Sequence, residues 1–119
     1  MKDESILKLT EKVKDFCSER DWDQYHNPKD LAIGISTEAN ELLDHFRFKS
    51  EEEMVKLFNN PAKKEQIGEE LADVLFFSLR FAQMNNLDIV EILEDKISKN
   101  GKKYPVDKAK GLNLKYDEL

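Results

Sequence analysis

An all-α fold, a four-helix bundle that assembles as an oligomer, is predicted by three features of this sequence. Apolar residues recur at helical spacing, and each such stretch follows a helix-capping residue. With 4 Gly and 3 Pro in 119 residues, the chain has little turn chemistry for an all-β fold. The third long helix is apolar on nearly every side and must be covered on every side. Four helices of this length cannot enclose it alone, so we expect a homodimer or homotetramer.

The first half of the chain predicts two helices joined by a linker. The first helix spans roughly residues 3–20, with an apolar face that ends at Phe16 and Cys17. The linker, from Arg20 to Asn27, contains a tryptophan and a histidine. The second helix begins where Asn27 can cap it and Pro28 fits the first turn, and it ends near residue 46.

Capping residues also predict the remaining elements. A capping box at Ser50-Glu51-Glu52-Glu53 opens a short helical piece, and Asn60-Pro61 opens a third long helix that runs to about residue 85. Asp88 caps a fourth helix, for which Asn100-Gly101 is a left-handed stop signal. We expect an irregular, lysine-rich tail from about residue 101, within a single domain that spans residues 1–119.

Two matched pairs of carboxylates lie on the second and third long helices, at Glu38-x-x-Glu41 and Glu70-x-x-Asp73. Residues three apart share a helix face, so each pair can point at one ligand. On a helical wheel, Glu38 falls about 20° from the apolar residue Leu31, inside the stripe that faces the core. Glu70 lies within the corresponding stripe of the third helix, and the other acid of each pair lies at the stripe's edge.

Four buried carboxylates that converge would lose solvation and repel one another, and a divalent cation removes both penalties. Ligands that are all oxygen favour Mg²⁺, Mn²⁺ or Ca²⁺ over Zn²⁺. A single glutamate on an apolar stripe usually reaches the helix edge and needs no metal. Two pairs at the same spacing on two apolar helices make the metal site the stronger hypothesis.

Composition excludes several other classes of protein. No apolar run approaches the roughly 20 residues that span a bilayer, and the N-terminus lacks the apolar core of a signal peptide, so we expect a cytoplasmic protein without a membrane partner. One cysteine cannot form an internal disulfide. The net charge of −6 argues against stable binding to nucleic acid.

Charge is unevenly distributed along the chain. Residues 96–116 carry seven lysines against one acid, so this segment is basic and the rest of the chain is strongly acidic. The segment is interpreted as a solvated terminus, a nucleic-acid tether or a phosphate clamp for the metal site, and the tether is the weakest of these. Carboxylates that bind Mg²⁺ near lysines suggest a polyphosphate ligand.

Two other functions are alternatives to polyphosphate hydrolysis. A di-iron bundle uses Glu-x-x-His pairs, but neither His26 nor His45 follows a metal-helix acid at that spacing. A non-enzymatic helical module that binds cations or nucleotides remains as the alternative. No glycine-rich phosphate loop is present, so the chain is not a P-loop NTPase.

The sequence resembles the all-α nucleoside triphosphate pyrophosphohydrolases of the MazG-like superfamily. Glu38-Ala39-Asn40-Glu41 and Glu70-Leu71-Ala72-Asp73 match the acidic signature of that superfamily. The dCTP pyrophosphatase branch is the most similar, because the segment from Arg20 to Pro28 resembles its entry segment and the segment from Lys99 to Pro105 resembles its closing segment. The likeness runs from about residue 15 to the end of the chain.

This resemblance implies hydrolysis of a deoxynucleoside triphosphate, such as dCTP or a modified dCTP, to the monophosphate and pyrophosphate. It implies that the four acids hold Mg²⁺, with Mn²⁺ as a substitute, and that one glutamate orients the attacking water. The residues it implies for substrate binding are Trp22, His26, Phe48, Phe77, Asn100, Lys103 and Tyr104. Phe48 stands where the branch has a second tryptophan, a departure that bears on the preference for cytosine. Phe77 stands where the branch has a tyrosine, so one sugar or phosphate contact is missing.

Overall fold

Helices provide the regular secondary structure of residues 5–119, the part of the chain that the computed structural model describes, and no β-strand occurs among these residues. The prediction of an all-α fold is therefore confirmed. Six α-helices and two short 3-10 turns (Asp23–Tyr25 and Tyr116–Glu118) follow in order. The helices are α1 (Ile6–Glu19), α2 (Pro28–Asp44), α3 (Glu51–Asn59), α4 (Pro61–Met84), α5 (Ile89–Lys103) and α6 (Val106–Ala109).

The chain divides into two compact units, Met1–Asn86 and Leu87–Leu119. The first unit contains α1 to α4, and the second contains α5, α6 and the C-terminal 3-10 turn. The organisation as a single domain stays a prediction. The predicted start of the first helix at residue 3 lies outside the described residues.

The predicted helix starts are confirmed by their capping hydrogen bonds. The side chain of Asn27 accepts a hydrogen bond from the backbone N–H of Asp30 at the start of α2. At the start of α3, Ser50 and Glu53 form both hydrogen bonds of a capping box. Asn60 caps α4 and Asp88 caps α5 in the same way. These signals succeed because a cap is a local interaction between neighbours in sequence.

The predicted end of the fourth long helix at Gly101 is wrong. Helix α5 continues through Gly101 to Lys103, and Tyr104 is its C-cap residue. The helix ends there because Pro105 disfavours helical geometry in the residue before it. The tail is also more ordered than expected: Pro105 opens α6, and the left-handed glycine is Gly111, with a φ of 78°.

Helix α4 is the centre of the first unit and packs against α1, α2 and α3, with α2 as its main partner. The buried apolar side chains among the described residues lie on α1, α2 and α4, and they are Cys17, Leu31, Ile67, Leu79 and Ala82. The α2–α4 pairing joins the two stripes that carry the acids. It therefore determines where the acidic pairs meet.

Part of α4 remains uncovered within the chain, as the all-round apolar character of this helix predicts. Leu71 is 57% exposed and Leu75 is 45% exposed. Leu75 also lines an apolar groove of about 270 Å³ with Leu9 and Phe16 of α1. The oligomer that would cover this face stays a prediction. None of the helices within residues 5–119 has the length and apolar character needed to cross a membrane.

Candidate metal and nucleotide site

The packing of α2 against α4 brings carboxylates of the two pairs together. Oxygens of Glu38, Glu41 and Glu70 all lie within 4.8 Å of one another. One oxygen of Glu38 and one oxygen of Glu70 are buried and have no hydrogen-bond partner among the described residues. Buried acceptors without partners are costly, and a hard cation would satisfy them. The donor set, three carboxylates with two unsatisfied oxygens, fits a metal ion.

The proximity of these acids changes their protonation. Burial, a hydrogen bond with Glu41 and the negative charge of the neighbouring acids raise the pKa of Glu38 to about 7. A hydrogen bond with Glu41, together with burial, also raises the pKa of Glu70. Because a hydrogen bond between two carboxyl groups needs a proton, the cluster retains a proton near neutral pH when no cation is bound.

Asp73, the fourth predicted acid, lies next to this cluster and outside the group whose oxygens are within 4.8 Å. Its negative charge contributes to the raised pKa of both Glu38 and Glu70. Asp73 also lines a cavity together with Glu38. The exposed side chain of Asp73 thus borders the cavity beside the cluster.

This cavity has a volume of about 580 Å³ and combines the two acids with an aromatic wall of Phe16, Trp22, Phe76 and Phe77. The rings contact one another edge to face. Ring centroids are 5.7 Å apart for Phe16 and Trp22, 5.8 Å apart for Phe16 and Phe76, and 5.7 Å apart for Phe76 and Phe77. An apolar wall beside carboxylates suits a ligand with a flat ring at one end and metal-binding oxygens at the other.

The predicted base-contacting residues occupy different positions in the first unit. Trp22 and Phe77 line the cavity, whereas His26 is next to Trp22 and outside the lining, with 6.1 Å between the two ring centroids. Phe48 is not part of the cavity lining. It follows α2 with a positive φ of 65°, is 90% exposed, and has the guanidinium of Arg47 4.8 Å from its ring centroid.

The three predicted residues of the closing segment lie in the second unit. Asn100 and Lys103 are in the last turns of α5, and Tyr104 is its C-cap residue. The ammonium nitrogen of Lys103 lies 4.9 Å from the ring centroid of Tyr116, and the rings of Tyr104 and Tyr116 are 6.3 Å apart. These residues form a cluster of their own, and their part in binding phosphate stays a prediction.

Sequence reasoning missed three residues near the site. Phe16 and Phe76 both line the cavity, although their spacing indicates only apolar helix faces. An electrostatic interaction with His45 lowers the pKa of Glu70, against the larger effects that raise it. The spacing Glu41-x-x-x-His45 places the histidine one helical turn after an acid and was the available signal.

Comparison with known proteins identifies the family of this chain. The profile of the MazG-like family matches residues 33–119, which include both acidic pairs. The chain belongs to the MazG-like family. Membership confirms the resemblance that the acidic pairs and the two flanking segments indicated.

Individual relatives are similar over most of the chain. The dCTP pyrophosphatase 1 of Bos taurus is 31% identical over 105 residues, and that of Rattus norvegicus is 32% identical; each alignment covers 88% of this chain. A crystal structure of a pyrophosphatase from Archaeoglobus fulgidus superposes with a TM-score of 0.78 at 32% identity and covers 88% of this chain and 96% of that one. The chain spans 62% of the length of the two mammalian proteins.

Proposed function

We propose that this protein hydrolyses a deoxynucleoside triphosphate, dCTP or a modified dCTP, to the monophosphate and pyrophosphate in a Mg²⁺-dependent reaction. One observation carries the proposal: carboxylate oxygens from two helices converge within 4.8 Å at the edge of an aromatic cavity. The similarity to dCTP pyrophosphatases supports the nature of the substrate.

The donor set supports Mg²⁺ as the metal, with Mn²⁺ as a substitute. All the candidate ligands are carboxylate oxygens, and Mg²⁺ is usually bound by a few carboxylates that share it with substrate phosphates. Glu38, Glu41 and Glu70 would hold the ion, and Asp73 would complete the set from the cavity lining. When bound, the ion neutralises phosphate charge and lowers the pKa of water.

The remaining chemistry belongs to the side chains. In the proposed reaction, a water oxygen attacks the α-phosphorus, the bond from that phosphorus to the bridging oxygen breaks, and pyrophosphate leaves. A glutamate of the cluster orients the water and accepts its proton, as a general base.

The aromatic wall supports a role in binding the base. Trp22 offers a large flat surface on which a pyrimidine ring can stack, and Phe77 contributes a second ring in the same cavity. His26, next to Trp22, would contact the base, and Phe48 would supply a further ring. In the second unit, Asn100, Lys103 and Tyr104 would bind phosphate or sugar.

A pyrophosphate-release assay with the eight common nucleoside triphosphates, in Mg²⁺ and in EDTA, tests the proposal. We expect release that the chelator abolishes and that is fastest with dCTP. Release that persists in EDTA would contradict the metal-dependent mechanism. No release from the common nucleotides or from 5-modified dCTP would favour the non-enzymatic binding module instead.

A matched pair of variants tests the acidic cluster. Glu70→Gln removes a cluster carboxylate and should lower kcat by at least about 100-fold, as expected when a catalytic or metal-binding acid is lost. Glu65→Gln removes an exposed acid from the same helix, outside the cluster, and should leave turnover unchanged. Equal activity of the two variants would exclude Glu70 from the site.

A further inference from the structure

Arg80 is a buried charge that the proposed reaction does not use. Its side chain is 0% exposed near the C-terminal end of α4, where Leu79 and Ala82 are also buried. A guanidinium in such a place is costly unless acceptors surround it. Its Nε–H donates to Nδ1 of His26 at 2.9 Å, one Nη donates to Oε1 of Gln83 at 2.6 Å, and the other Nη donates to Oδ1 of Asp23.

Two of these acceptors hold the turn that carries Trp22. Asp23 begins the 3-10 turn Asp23–Tyr25, and His26 is its C-cap residue. Arg80 therefore binds both ends of one short turn, from more than 50 residues away in sequence. The hydrogen bond from Arg80 holds the pKa of Asp23 below its usual range, so this carboxylate stays charged and paired.

The hydrogen bond to His26 determines where the imidazole carries its proton. Arginine remains protonated in proteins and only donates, so Nδ1 must be an unprotonated acceptor. The neutral ring then carries its proton on Nε2. Burial and the charge of Arg80 lower the pKa of His26, which keeps the ring neutral.

The Nε2 atom is available for a ligand. Within residues 5–119, no hydrogen bond joins it to another group. The ring lies edge to face with Trp22, at an angle of 60°, and Trp22 lines the cavity beside the acids. A neutral N–H beside an aromatic wall recognises a hydrogen-bond acceptor, such as a carbonyl oxygen or an unprotonated ring nitrogen of a base.

We propose that Arg80 is a positioning residue of the nucleotide site: it holds His26 in the Nε2–H tautomer next to Trp22, so that the ring donates one hydrogen bond to an acceptor atom of the substrate base. The part that concerns the substrate rests on the proposed function. The part that concerns the tautomer does not, because it follows from the contacts of Arg80 alone.

The tautomer is measured on the wild-type protein by long-range ¹H–¹⁵N NMR of the imidazole rings at neutral pH. The chain has two histidines, and a His45→Gln variant assigns the signals. We expect the coupling pattern of His26 to identify Nε2 as the protonated nitrogen and Nδ1 as the acceptor. A proton on Nδ1, or rapid averaging of the two tautomers, would overturn the proposal without any activity assay.

Variants of Arg80 and Gln83 distinguish a positioning role of Arg80 from a general contribution to stability. Arg80→Met should no longer fix the proton of His26 on Nε2. KM should rise about tenfold because one hydrogen bond to the substrate is lost, while kcat changes less than about threefold. Gln83→Met removes the acceptor on the other side of Arg80 and leaves the His26 bond, so we expect lower thermal stability with an unchanged tautomer and KM.

The outcomes distinguish this inference from the proposed function. An active enzyme whose KM is unchanged by Arg80→Met would overturn the inference and leave the function standing. If no nucleotide is hydrolysed but the fixed tautomer is observed, the function fails while the role of Arg80 in holding His26 stands. If Arg80→Met does not fold, the tautomer of His26 in the wild-type protein provides the test, because a proton on Nδ1 is incompatible with the hydrogen bond from Nε–H of Arg80.

Discussion

Replacing Gly34 with alanine would place a methyl group against the ring of Phe77, which lines the cavity. A Cβ atom at this position would lie 2.7 Å from Cδ1, 2.8 Å from Cε1 and 3.0 Å from Cγ of that ring. Carbon atoms in contact are normally about 3.5–4.0 Å apart. The ring must therefore move by roughly 1 Å, away from α2 and within a packed interface.

The magnitude follows from two opposing effects. Overpacking of this kind costs about 1–3 kcal/mol, and replacing a helical glycine with alanine returns up to about 1 kcal/mol. Gly68→Ala is the matched control, because Gly68 is also helical and a Cβ there has nothing within 4 Å. The control should gain about 0.5–1 kcal/mol of stability. The two variants should thus differ by about 1–3 kcal/mol.

Thermal unfolding followed by circular dichroism measures this difference. For a chain of 119 residues, 1 kcal/mol corresponds to about 4 °C in Tm, so Gly34→Ala should unfold about 4–12 °C below Gly68→Ala at equal protein concentration. In the Phe77→Ala background the methyl group has room, and the penalty at Gly34 should disappear. An equal rise of Tm in the two single variants would refute the packing of Phe77 on Gly34.

Three further predictions follow from the same structure. Because the pKa of Glu38 is raised to about 7, the metal-free protein should lose stability as the pH rises from about 4.5 to 7. Tm measured against pH should fall over this range in the wild type and fall less in Glu38→Gln. Added Mg²⁺ should reverse the fall of Tm in the wild type. Lys103→Ala should raise KM with kcat unchanged, whereas Lys102→Ala should change neither in the same steady-state assay; equal kinetics of the two would remove Lys103 from the site. Leu75→Lys should convert an oligomer to monomers in light scattering at micromolar concentration, and a wild-type protein that is already monomeric would contradict the predicted oligomer.

The parts of the fold that depend on near neighbours were predictable from the sequence. Capping at Asn27, Ser50, Asn60 and Asp88 involves residues two or three positions away, so sequence spacing contains the information. The end of α5 was misjudged at Gly101. A glycine permits the left-handed stop but does not impose it, whereas Pro105 does restrict the residue that precedes it.

The candidate site likewise has a part that the sequence predicts and a part that it does not. Helical periodicity alone placed Glu38 and Glu70 on core-facing stripes, because the turn angle of a helix is constant. Periodicity does not determine which side chains of two helices touch. The convergence of Glu41 with both of these acids within 4.8 Å depends on how α2 crosses α4.

By itself, the sequence determined the all-α class, the helix starts and the two acidic faces, since each of these arises from interactions over at most a few helical turns. Only the tertiary structure revealed that Trp22 shares a cavity with the acids and that the buried Arg80 binds both ends of the turn that follows Trp22. The physical reason is that Arg80 meets its partners across more than 50 residues of chain, and packing alone brings such distant groups within hydrogen-bond distance.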